Sequence, residues 1–121
     1  MSSLDRPLTG DVLVLDLDNE RREAADASIL GQSGRSARTL LKDGGLRVTL
    51  IVLAPGGKLA EHRAEGPITI QPLDGRIRFA AGEASHEIGP GELLFAGPGV
   101  THEVSSDSGG SFLLSVTLPP R

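Results

Sequence analysis

The chain has 121 residues, enough to bury one core and too few for two ordinary domains, and its 16 glycines and 8 prolines suit a fold of many short strands. Three phenylalanines without Trp or Tyr, a formal net charge of -4 and a pI near 5.3 argue against a nucleic-acid partner, which calls for stacking rings and clustered cations. The absence of cysteine removes disulfides and thiolate metal sites, and no stretch approaches the ~20 apolar residues of a membrane span, so a soluble, cytoplasmic protein is expected.

Residues 1–10, interrupted by Pro7 and Gly10, read as a loose arm or edge segment. Residues 11–36 read as an N-terminal unit packing on the main fold. Val12 and Val14, with Leu13, Leu15 and Leu17, predict a short apolar strand, and NERREAADASIL after it suits one or two helical turns. GQSGRS, from Gly31 to Ser36, is a flexible connection.

From residue 37 to 118 the chain changes to strand-and-turn rhythm. Ala37 to Lys42 and Leu46 to Ala54 flank Asp43-Gly44-Gly45, a hairpin signal because glycine accepts the positive φ of tight turns. Further strands are expected at Lys58 to Ala64, Pro67 to Leu73, Arg76 to Ala80, Ser85 to Ile88, Glu92 to Ala96, His102 to Ser105 and Phe112 to Leu118. Residues 119–121 form a tail. Such regular spacing of short strands predicts an all-β antiparallel barrel or jelly roll. Leu50 to Leu53 is apolar throughout, as for a strand covered on both faces by the N-terminal segment or by a partner subunit, which makes a homodimer an expectation.

Without cysteine, the three histidines are the leading transition-metal candidates. His62 and His102 sit on predicted strands, each after a glycine-rich turn. His86 lies in the polar strand SHEI and reads as a surface residue.

At these positions the chain resembles the cupin superfamily, in particular small single-domain members of the cupin-2 type. In PGGKLAEHRAEGPITIQPLDG, Gly56, His62 and Gly75 match the first cupin motif in register, while Ala64 stands at the second histidine position and Ile68 at the glutamate. In GELLFAGPGVTHEVSS, Gly91, Gly99 and His102 match the second motif, with Gly97 at the usual proline and Ser106 at the closing asparagine. The resemblance covers residues 56–106 and implies a metal held by three histidines and a glutamate; only His62 and His102 remain in place. Strand alternation puts residues 62, 64, 68 and 70 on one face, and only a bulge near Gly66-Pro67 would turn Gln71 inward as a surrogate ligand.

The reading is therefore a barrel that binds a small organic molecule in an apolar pocket lined by His62, Ile68, Ile70, Gln71, Phe79, Phe95 and His102, with a degenerate metal site. The alternative is a metal-dependent cupin enzyme, a dioxygenase or isomerase, in which His62 and His102 hold Fe, Mn, Ni or Zn. A third class is a structural or partner-binding dimer. Arg76 and Arg78 alternate with Ile77 and Phe79 and are expected on a solvated outer face, and Glu61, Arg63 and Glu65 on a solvated rim. There is no Gly-x-Ser-x-Gly elbow for a serine nucleophile.

Overall fold

The structure, a computed structural model, describes residues 6–26 and 31–118. The end of the expected helix and the tail at 119–121 lie outside the described residues. In chain order the elements are α1 (Leu17–Ala24), β1 (Arg35–Asp43), β2 (Leu46–Leu53), β3 (Gly57–His62), β4 (Ile68–Gly75), β5 (Ile77–Ala81), β6 (Ala84–Ile88), β7 (Leu94–Ala96), β8 (His102–Ser106) and β9 (Gly110–Thr117). The strands form two sheets, β1-β2-β9-β4-β7 and β3-β8-β5-β6, and every paired neighbour runs antiparallel.

The turn residues set this order. Asp43 pairs with Leu46 across Gly44-Gly45, and Gly44 takes φ +56°, the left-handed geometry the tight hairpin demands. Alternation then divides each strand between two faces. Ile51, Leu53, Ile68, Ile70 and Phe112 point from the first sheet into the barrel, where they meet Ile77, Phe79, Ile88 and Val104 of the second. The outer face of the first sheet is also covered, with Leu40, Leu50 and Val52 packing against Ala24 of α1 and against Leu15 and Leu17. The doubly apolar run Leu50 to Leu53 is thus explained within one chain, since the N-terminal segment supplies its second cover.

That segment departs from the expected strand. Val12 and Val14 are exposed while Leu13 and Leu15 are half-buried, so the alternation is real, but no ladder forms around it. A backbone bond from the Lys42 amide to the Leu8 carbonyl (3.0 Å) ties the preceding residues to β1. Asp16 then stops the extended chain by capping α1, its carboxylate accepting the Asn19 amide at 3.1 Å. Arg6 is not loose: its Nε donates to the buried carboxylate of Glu20 at 2.5 Å.

Candidate functional site

His62 closes β3 and His102 opens β8, and the two are cross-strand partners. A register shift between Leu59 and His62 brings His62 to the face Leu59 occupies. Their ring centroids are 4.5 Å apart at an interplanar angle of 59°. His102 is buried at 2% exposure, whereas His62 lies exposed on the rim. Each Nδ1 faces a backbone carbonyl two residues earlier, Ala60 at 3.2 Å for His62 and Val100 at 2.9 Å for His102. A carbonyl only accepts, so each Nδ1 carries a proton there, and in the neutral tautomer the lone pair lies on Nε2. On the other side of His102 the Phe79 ring stacks at 4.8 Å and 21°.

The surroundings of this pair do not complete a metal shell. Ala64 is half-buried beside the core and offers no donor, and Ile68 at 3% and Ile70 at 0% exposure belong to the closed apolar interior. Gln71, expected as a surrogate ligand, faces out: alternation runs unbroken from Ile68, and the irregularity in β4 comes later, between Pro72 and Asp74. Glu61, Arg63 and Glu65 are exposed, as a solvated rim requires. Among the described residues no three His, Cys, Asp or Glu side chains cluster closely enough to hold a metal ion. Two imidazole nitrogens fall short of the three protein ligands of a catalytic zinc centre and of the four that the cupin pattern implies.

The third histidine joins the same face. β5 and β6 form a hairpin in which Ala81 pairs with Ala84, and two steps back Phe79 faces His86. Directly opposed residues of an antiparallel pair share a side of the sheet. Phe79 is also opposite Val104 of β8, so His62, His102, Phe79 and His86 all lie on the inner face of the second sheet. His86 is solvent-exposed, as a surface residue would be, yet it stands on the barrel side of the sheet. The turn at Gly82-Glu83 carried the signal, because counting outward from it pairs 79 with 86.

Beside His86 the barrel is open. β6 ends the second sheet and β7 ends the first, and neither edge pairs with the other. Between them lies a groove of about 450 Å³ lined by Phe79, His86, Ile88, Leu94, Ala96 and Val100, among others. Of the expected pocket residues, Phe79 reaches this groove directly, while Ile68 and Ile70 stay in the packed core. Phe95 lines the groove as expected, but from an outward-facing position rather than the inward one that strand parity predicts. It pairs with Thr69, between the inward Leu94 and Ala96, and is 70% exposed. His62 and His102 adjoin the groove through Phe79 and Val100 rather than lining it.

Elsewhere the charges are taken up by neighbours. Arg78, on the outer face, donates to Glu87 at 2.9 Å and Asp107 at 3.2 Å; the hydrogen bond to Glu87 and the charge of Asp107 raise its pKa above the usual arginine value. A second cavity, about 470 Å³, lies between α1 and the ends of β2 and β9, far from the histidines, and its Arg21 is bonded to Asp18 at 3.0 Å and lies 3.9 Å from Asp74.

No family model matches the chain, and no curated protein matches it in sequence. Solved structures do match in fold. A conserved protein of unknown function from Streptococcus pyogenes aligns with a TM-score of 0.73 at 20% identity over 95% of each chain. A cupin-2 domain containing protein from Shewanella frigidimarina gives 0.67 at 15% identity, covering 89% of this chain and 95% of its own. A cupin superfamily protein from Desulfitobacterium hafniense gives 0.68 at 14% identity, covering 70% and 78%. At such identities the likeness defines the architecture, and that architecture is the cupin barrel.

Proposed function

We propose that this cupin barrel binds a small organic molecule in the groove between the β6 and β7 edges, and does so without a resident metal. The observation that carries the reading is the groove itself, about 450 Å³ and lined mainly by apolar side chains, opening on the sheet face that holds all three histidines. Its size falls within the ~300–1,000 Å³ common for small-molecule sites, and its walls resemble theirs in being apolar with few polar groups.

A ligand that binds only the folded state raises the melting temperature. A library of small organic compounds is therefore expected to contain molecules that raise Tm by a few degrees in the wild-type protein and fail to do so in Ala81→Trp. Ala81 is half-buried at the groove wall, and an indole there fills the space. Hits that are unaffected by Ala81→Trp would place binding elsewhere, and a library without hits would favour a structural or partner-binding role.

The metal-free part of the proposal rests on the incomplete donor set around His62 and His102. Protein incubated with Fe(II), Mn(II), Ni(II) or Zn(II) and then desalted is expected to retain well under one equivalent by elemental analysis. One tightly held equivalent, lost in both His62→Ala and His102→Ala, would replace this reading with a metal-dependent cupin enzyme.

A further inference from the structure

We infer that the molecule held in this groove carries one acidic group and that His86 receives it. The inference rests on the groove reading above and assigns its ligand class. His86 is the sole titratable side chain in the groove lining, whose other members are glycine, alanine, aliphatic residues and the rings of Phe79 and Phe95. Neither of its ring nitrogens has a protein partner among the described residues, in contrast to His62 and His102, whose Nδ1 atoms are bonded to carbonyls.

An imidazole donates a hydrogen bond in its neutral form and adds a positive charge when protonated, so both forms accommodate a carboxylate. An ammonium group would meet no counter-charge, since the lining contains no Asp or Glu. The adjacent carboxylate, Glu87, points to the opposite face of β6, where Arg78 holds it at 2.9 Å. Glu92, at the turn before β7, accepts the Gly89 amide at 3.0 Å. The apolar body of the ligand would lie along Ile88, Leu94 and Val100, with the acid at the β6 edge.

Phenylacetate, phenylacetamide and phenethylamine share a ring and differ in the head group, which makes them suitable probes. Titrated calorimetrically into the wild-type protein, the acid is expected to bind about tenfold more tightly than the amide, the difference a charge-assisted hydrogen bond typically makes, and the amine more weakly than either. In His86→Ala, which removes the donor, the acid and amide should converge to within about twofold, with amide affinity little changed, because the apolar walls are untouched. His86 is exposed on an edge strand, so this variant should fold normally, which its melting curve checks. Equal acid and amide affinities in the wild type, or an acid preference that survives His86→Ala, would overturn the inference and leave the groove reading standing. So would library hits lost in Ala81→Trp that lack any acidic group. A library without hits sensitive to Ala81→Trp would remove the groove reading and this inference together.

Discussion

Glu20→Ala is expected to cost about 3 kcal/mol of folding stability, the lower end of what breaking a buried ion pair costs, because its arginine partners keep some contact with water. Glu20 sits on α1 at 3% exposure. Arg6 approaches one carboxylate oxygen at 2.5 Å, and Arg38 of β1 stands 3.7 Å from the other, which has no hydrogen bond of its own. Arg38 also reaches Glu23 at 2.7 Å and so keeps a partner when Glu20 is lost. Arg6 does not. Its side chain is 18% exposed, and its other contacts are the carbonyls of Pro7 (3.2 Å), Leu40 (2.9 Å) and Thr39 (3.5 Å). The register of β1 slips between Thr39 and Leu41, so this guanidinium caps a ladder interruption as well as pairing with Glu20.

Urea unfolding would measure the loss, with Glu20→Gln expected between wild type and alanine, since an amide keeps an acceptor for Arg6 but removes the charge. A loss under ~1 kcal/mol for Glu20→Ala would show the cluster to be energetically idle, as exposed ion pairs usually are. The cluster clasps α1 and the Arg6 segment over the outer face of the first sheet, whereas the groove opens at the β6 and β7 edges. Groove binding should therefore persist in Glu20→Ala at temperatures where it stays folded.

This clasp was not legible in the sequence, because nothing in a linear pattern pairs Arg6 with Glu20 across 14 residues and both with a bulge in a later strand. The barrel was more legible, because turn residues and alternation are local. Gly44-Gly45 fixed the first hairpin, and parity placed Ile68, Ile70 and Phe79 inside. The outward side of Phe95, which lines the groove all the same, escaped for a physical reason. Leu93, Leu94 and Phe95 are consecutive apolar residues, so the pattern does not say which faces inward, and only the pairing of Ile68 with Ala96 decides it. His86 escaped because it lies at an open edge, where a residue on the barrel side of a sheet still meets water and its polar neighbours Ser85 and Glu87 look the same. Val12 and Val14 carried a strand signal without a strand, since alternation records which side is covered and says nothing of whether a ladder partner exists.

The glycines of the motif are not equivalent, and Gly75→Ala should separate them. Gly75 has φ +75°, and it pairs with Gly110 where β4 leaves the first sheet for β5 in the second. A Cβ there would run into the Gly109 carbonyl oxygen and come within 2.7 Å of the Gly110 Cα, both backbone atoms that cannot swing away. Left-handed strain of about 1–2 kcal/mol then adds to overpacking of about 1–3 kcal/mol, so a loss of about 3 kcal/mol is expected in urea unfolding. Gly99 provides the contrast. Its φ of +76° carries the same strain, but a Cβ would meet nothing within 4 Å, so Gly99→Ala should cost only about 1 kcal/mol. Similar losses in the two variants would mean that backbone conformation alone accounts for both positions. A clear gap would show that Gly75 is required by the close approach of two chain segments at the corner where the sheets join.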